Sequence, residues 1–561
     1  MLPLLLATAL ASPTVLVGVD TLPWTAPSGT VDACFASSRV CTVRGTTPAA
    51  LQDAPGVRHA EWDRPMQLQG GTIQTPVVGA SAQCPDPHEL VSTDVQTAWN
   101  LHSWGIDAPV IAVQDAGFRT SHVDLLGRIS GGYDYGDDDP LPEVSALAWA
   151  PGHGTFIAGI LAANDDGLGR LGMAPGAELF VQKVADSSGA LYFSYAIAAM
   201  DDLATAHPEV GLLNYSIAAT NPPVAFDDAV QALGDADILL VAAASNCPYP
   251  NCSDADNDQF PIFPSSYPYE HVVSVASLRP DGSLDPYSHF GATSVALAAP
   301  GADICSLGVA SDTDYVVASG TSYATPVVAG TAALIREAFP RLTAAEVADA
   351  LCFGAAPTGA TAGKVACGSL RAPEALTFPA VDVVDSPDVA VDGRSTWTLS
   401  LDSRGAHHDA VFTLALPPGV DATPPATVAV PANIGFDIEV DLVATQPSSG
   451  TATWSLTLSD GTVLSESFQV DAGPGATADT GSFPTADTGP AVLTADTADT
   501  HVTGRTGHTG HTGTYVTEVG GPTTPVELPS PDCRCQQGGA AGGMWIALSG
   551  VIVARRRRTR R

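Results

Sequence analysis

Between about residues 90 and 376 the chain alternates apolar runs with helical stretches, and this restricts the fold more than any other feature. The runs PVIAVQD, ELFVQKV, VGLLNYS, DILLVAAAS and HVVSVAS are short and continuous, as strands buried on both faces are. Between them lie GTFIAGILAAN, SYAIAAMDDLATA and TAALIREAF, which read as helices. Strands that alternate with helices build a parallel sheet covered on both faces. The expectation over 90–376 is therefore an α/β domain with a doubly wound parallel sheet and flanking helices. After Leu376 the style changes. STWTLSLDS, AVFTLALPP, FDIEVDLVA, TATWSLTLSD and ESFQVDAG are alternating segments broken by Pro and Gly turns, which predicts an all-β sandwich domain over 378–472.

The rest of the 561 residues divides by composition. Residues 1–12, MLPLLLATALAS, form an apolar run ending in small residues and read as a secretory signal peptide, although the usual basic start is missing; the alternative is a buried first strand. Residues 13–80 carry their own apolar patches, TVLVGVDTL and VRHAEWD. Residues 473–530 are rich in Thr, Asp and Gly, with TADT recurring at 477, 485 and 494; such a stretch cannot bury a core and reads as a linker. His501, His508 and His511 in it read as solvated rather than as metal ligands. Residues 531–561 join CRC, an apolar run just long enough to span a bilayer, and RRRRTRR. The formal net charge of -37 argues against nucleic acid as a partner. Of the 10 Cys, Cys34 and Cys41, Cys247 and Cys252, and Cys352 and Cys367 lie close in sequence and read as disulfides of an exported chain. Connectivity stays open, and Cys84 with Cys305 is a pairing by elimination only.

Three motifs carry the chemistry. Asp115 ends the strand-like run in IAVQDAGFRTSHVDL, His153 opens the helix of GHGTFIAGI, and Ser322 opens the helix of GTSYATP. In open α/β sheets the strand ends and nearby helix N-termini meet in one crevice. A serine hydroxyl becomes a nucleophile when a base takes its proton and a carboxylate orients that base. Each residue also has a plain structural reading: Asp115 as a turn residue, His153 and Ser322 as helix caps.

The three motifs in this order resemble the subtilisin-like serine proteases, the subtilases, over about half of the chain. The resemblance implies that Ser322 attacks the scissile carbonyl, His153 moves the proton and Asp115 fixes the imidazole. It places Asn246, in LLVAAASNCP, as the oxyanion donor, otherwise a turn residue. It also places Ser216, Ala218 and Ser245 along the substrate. The sequence departs from the family pattern at Ala116, where Ser or Thr is usual and one hydrogen bond to the aspartate is lost, and at Tyr323, where Met is usual. Ala218 and Ser245 stand where Gly is common. They imply a narrow pocket and a preference for small P1 residues, which a peptide-library profile led by Phe or Leu would contradict.

In calcium-binding subtilases a loop interrupts the helix after the histidine. NDDGLGRLG stands at that distance here. The implied structural calcium ligands are the side chains of Asp124 and Asp166 and the carbonyls of Asn164, Leu168 and Arg170, all oxygen donors as calcium prefers. Arg170 would set a cation beside the site. No organic cofactor is implied. Asp254, Asp256 and Asp258 in SDADNDQ read as a solvated acidic loop. Residues 13–80 are placed as a propeptide or an attached N-terminal extension. The C-terminal tail is similar to the sorting tails of myxobacterial envelope proteins, which makes Cys533 or Cys535 the candidate for modification and gives the membrane as a partner before sorting; the alternative is a plain membrane anchor. The resulting expectation is an exported, envelope-associated monomeric endopeptidase acting on proteins or peptides. The rival is a non-catalytic surface adhesin on a degenerate protease fold.

Overall fold

The computed structural model describes residues 13–473 apart from 67–72, 77–83, 85–86, 102–108, 146–151, 248–251, 392, 407 and 460–461. The signal peptide, the Thr/Asp/Gly linker, the three linker histidines and the Cys533/Cys535 tail lie outside the described residues. Among the described residues no helix is long and apolar enough to cross a membrane.

The apolar runs of the central region form one nine-stranded sheet. Across it the order is Ala355–Ala356, Gly368–Leu370, Leu297–Pro300, Val272–Leu278, Leu239–Ala243, Val210–Tyr215, Val110–Asp115, Glu178–Lys183 and Ile129–Asp134. Every neighbouring pair is parallel except the short edge pair Ala355–Ala356 with Gly368–Leu370. Successive side chains of a strand point to opposite faces, so each run feeds two cores. Ile111 and Val113 join the helices His153–Ala162, Thr321–Ala338 and Ala344–Phe353 on one face. Ala112 joins Phe193–Ala206 and Val224–Asp235 on the other. Two helices are buried almost all round: His153–Ala162 entirely, and Thr321–Ala338 except at Arg336. That is why their sequences read as apolar rather than amphipathic.

A small antiparallel sheet precedes this domain, in the order Thr30–Phe35, Val40–Arg44, Thr14–Val19, Val57–Trp62. It sits on the two helices of the second face. Glu61 Oε1 accepts the Val224 N–H at 2.7 Å, at the start of one helix. Asp63 accepts the N–H of Ser194 at 3.1 Å and its hydroxyl at 2.6 Å, at the start of the other. Carboxylates there satisfy orphan donors and meet the positive end of the helix dipole. Ser37, in the hairpin closed by Cys34–Cys41, donates its N–H to Asp201 at 2.6 Å. The chain then runs on as Pro65–Met66, paired antiparallel with Leu191–Tyr192.

Beyond Leu376 two sheets pack face to face. One has four strands and the other five, with Arg394–Ser403 and Ile434–Ala444 central to the first and Ser448–Thr457 and Val463–Ala472 to the second. Trp397 stacks on Phe468 with ring centres 4.3 Å apart in the core between them. The alternating burial along these strands is the sequence alternation realised. Disulfides join Cys34–Cys41, Cys247–Cys252, Cys352–Cys367 and also Cys84–Cys305.

Candidate active site

Asp115 ends its strand fully buried. Its Oδ2 accepts the His153 Nδ1–H at 2.8 Å, and its Oδ1 accepts the Ala116 backbone N–H at 2.7 Å. The main chain at position 116 supplies this donor whatever the side chain, so the hydroxyl absent there would have been a further one. With Nδ1 as the donor, Nε2 carries the lone pair. That atom is buried and has no hydrogen-bond partner, an unusual state for a polar atom and one found at reactive sites. Gly154 makes the approach possible. A Cβ there would lie 2.7 Å from Gly117 O and 2.9 Å from Asp115 Cβ, so only glycine lets the helix that begins at His153 come so close to the strand.

Ser322 lies in the first turn of the helix Thr321–Ala338 and is buried. Pro326, four residues on, has no N–H to donate to the Ser322 carbonyl. Ser216 Oγ fills the gap, donating to Ser322 O at 3.0 Å, and Asn214 Nδ2 in turn donates to Ser216 Oγ at 3.3 Å. Ser216 is thus turned inward as a brace for the Ser322 backbone. Tyr323 packs between the sites, with ring centres 5.6 Å from His153 and 4.5 Å from Phe156. Burial, helped by the Asp115 charge, pushes its phenol well above the ordinary range, so it stays neutral beside the imidazole.

Asn246 Oδ1 accepts the Thr321 N–H at 2.9 Å. A backbone N–H can only donate, so the amide orientation is fixed and Nδ2 is the end left to donate elsewhere. Ala218 and Ser245 are both buried, just beyond the ends of neighbouring parallel strands. Ser245 has φ +97°, a conformation that suits glycine and costs a side-chain-bearing residue on the order of 1–3 kcal/mol. Sequence reading noted the missing glycine as a matter of pocket width; backbone strain is the further consequence.

Of the residues expected to bind calcium, Asn164 and Arg170 meet Asp124. Its Oδ2 accepts the Arg170 N–H and the Tyr315 hydroxyl, each at 2.9 Å, and its carbonyl accepts the Asn164 N–H at 3.0 Å. The loop closes so tightly that a Cβ on Gly169 would fall 2.4 Å from Asp124 Oδ2. Asp166 Oδ1 accepts the Leu168 N–H at 2.9 Å within its own turn. The cation that Arg170 brings to this loop is a paired one. The Arg170 guanidinium is buried and bonded to Gly159 O, Cys305 O and the buried carboxylate of Glu89. Among the described residues no group of three or more His, Cys, Asp or Glu side chains is set to hold a metal. In the SDADNDQ loop, Asp258 accepts Thr293 Oγ1–H at 2.8 Å and the Ser294 N–H at 2.9 Å, so it ties two loops together.

Residues 107–371 match the family described as the Subtilase family. The chain is 33% identical over 257 residues to a "Thermostable alkaline protease" of Halalkalibacterium halodurans, covering 46% of this chain and 64% of that one. It is 33% identical to an "Intracellular serine protease" of Paenibacillus polymyxa, covering 40% and 66%. It is also 33% identical to "Subtilisin DY" of Bacillus licheniformis, covering 43% and 81%. The chain thus spans just under two thirds of the first two relatives.

Proposed function

We propose a serine endopeptidase, and the premise is that this chain belongs to the subtilase family. The observation that carries the reading is the buried Asp115–His153 pair with its unpartnered Nε2, whose imidazole ring packs near Tyr323, the residue next to Ser322. In the proposed reaction Ser322 Oγ attacks the peptide carbonyl while its proton passes to His153 Nε2. Asp115 keeps Nδ1 protonated and stabilises the imidazolium that forms. The charge on the carbonyl oxygen is met by Asn246 Nδ2 and the Ser322 backbone N–H at the helix start. His153 then hands the proton to the leaving amine, and water releases the acyl group by the same steps in reverse.

We read calcium as structural here. Asp124, with the carbonyls of Asn164, Leu168 and Arg170 and the side chain of Asp166, would hold it, and the all-oxygen donor set around a buried carboxylate supports that. Bound calcium would tie the loop to the strand end. The segment 13–80 is read as a propeptide rather than an attached extension, and its capping of two helix starts and the Pro65–Met66 strand that runs along Leu191–Tyr192 support that. The disulfides agree with export. Envelope anchoring through the C-terminal tail is part of the same proposal.

Intact mass after treatment with a fluorophosphonate tests the central claim. One adduct on the wild type, absent from Ser322→Ala, is expected. A folded, propeptide-free wild type that takes no adduct would leave the adhesin reading in possession.

A further inference from the structure

The strained residue Ser245 immediately precedes Asn246, the proposed oxyanion donor. A backbone held in such a conformation persists only where its surroundings over-determine it. The surroundings here are specific. Asn257 Nδ2 donates to the carbonyl of Ala244 at 2.9 Å, and the His289 N–H donates to the carbonyl of Ser245 at 3.0 Å. These two residues also hold each other, with His289 Nδ1 and Asn257 Oδ1 2.9 Å apart. Because Asn257 Nδ2 is already donating to a carbonyl, Oδ1 must accept, and His289 Nδ1 carries the proton. Both side chains are at least 95% buried, so water does not replace a lost bond. The Cys247 N–H continues the clamp on Tyr287 O at 2.9 Å. On the far side the Thr321 N–H fixes Asn246 Oδ1. Asn246 is therefore set from two directions: its amide by the helix that carries Ser322, its backbone by Asn257 and His289.

We propose that Asn257 and His289 are positioning residues for the oxyanion donor, holding Ser245 in its strained conformation so that Asn246 Nδ2 faces the reacting carbonyl. This rests on the endopeptidase reading and deepens it. Neither residue touches substrate. Their effect passes through the Ser245 backbone, and this makes a sharp expectation: where residue 245 is glycine, the conformation is unstrained and the clamp matters less.

The test is a double-mutant cycle in the protein expressed as the full chain and freed of its N-terminal segment after folding, with kcat and KM measured on a fluorogenic peptide. Asn257→Leu removes the donor and keeps the number and branching of the side-chain heavy atoms. It is expected to lower kcat by roughly 10- to 100-fold, less than the loss on removing an oxyanion donor outright, with KM nearly unchanged. In the Ser245→Gly background the same change is expected to cost only about 2- to 3-fold, because glycine removes the strain the clamp opposes. Equal losses in both backgrounds would overturn the proposal, as would an unchanged kcat in Asn257→Leu. Asn257→Asp, which keeps the size and loses the donor, reads the same cycle if the leucine variant does not fold. A wild type that neither cleaves peptide nor takes the fluorophosphonate adduct refutes the endopeptidase reading itself; an active wild type with a flat cycle refutes only the clamp.

Discussion

Two β-structures flank the α/β domain and are attached to it in different ways. The N-terminal sheet meets it through groups whose charge depends on pH or on a helix end. His59 Nε2 lies 2.8 Å from Asp228 Oδ2, and its Nδ1 lies 3.4 Å from Glu61 Oε1. Arg58 pairs with the other oxygen of Asp228 at 2.9 Å. The sandwich is attached by Arg404, paired with Glu346 and with Asp382, by Arg341 with Asp402 at 2.7 Å, and by Asn433 Nδ2 donating to Ala338 O at 3.0 Å. Among the described residues no histidine enters these sandwich ion pairs. The lesson is that the kind of polar group at a joint decides whether it should answer to pH.

The largest expected effect that sharpens this contrast is at Asp228. Its carboxylate is half-buried between two cations, and removing one partner of such a cluster leaves the others desolvated. Asp228→Ala should weaken the N-terminal joint by about 2–4 kcal/mol. Hydrogen exchange of the Val57–Trp62 strand would rise on the order of 30- to 1,000-fold, while exchange in the sandwich stays the same. Equal changes in both regions would show that the two joints are not independent.

A smaller effect follows from pH. Burial opposes charge on His59, but Asp228 and Glu61 outweigh it and hold its pKa above the ordinary value. A raised histidine contributes stability that is fully present below its ordinary pKa and is lost as pH rises through the raised value. Burial raises the Asp228 and Glu61 pKa values, yet their basic and hydrogen-bonding partners leave both lowered. Their contribution is lost as pH falls through those lowered values. The joint should therefore be tightest between the two limits and loosen toward alkaline pH, and His59→Gln should flatten the alkaline limb. Exchange of Val57–Trp62 followed from pH 5 to 9 checks this. A wild-type profile as flat as that of the sandwich would break the comparison.

What could be read from the sequence, and what could not, follows the range of the interactions. The central strands were legible because burial on both faces leaves continuous apolar runs, and the sandwich because one-sided burial leaves alternation. The place of Ser322 at the start of its helix was legible from the GTSYATP run. Asp115 and His153 were legible from their places at a strand end and a helix start. The helix caps were not. Glu61 reaches Val224 across 163 residues and Asp63 reaches Ser194 across 131, and no local pattern announces such a partner. The partner of Arg170 was hidden for the same reason, since Glu89, 81 residues away, takes its guanidinium. The roles of Asn257 and His289 left no local signal, because they bond each other across 32 residues and reach backbone carbonyls, which every position offers.

The smallest effect lies in the sandwich joint. Arg341 is 42% exposed in its pair with Asp402, so water and salt compete for both charges and the long side chain loses freedom in forming the pair. The guanidinium also donates to Ser403 O at 3.3 Å, a contact long enough to be weak. Arg341→Ala should therefore cost only about 0.2–1 kcal/mol, and that cost should shrink in high salt and stay constant across the pH range in which His59 titrates. Thermal unfolding of the variant at low and high salt measures it. A loss as large as that of Asp228→Ala would mean that exposed charge holds the sandwich as firmly as half-buried charge holds the N-terminal sheet. The difference between the two joints would then lie in their apolar contacts instead.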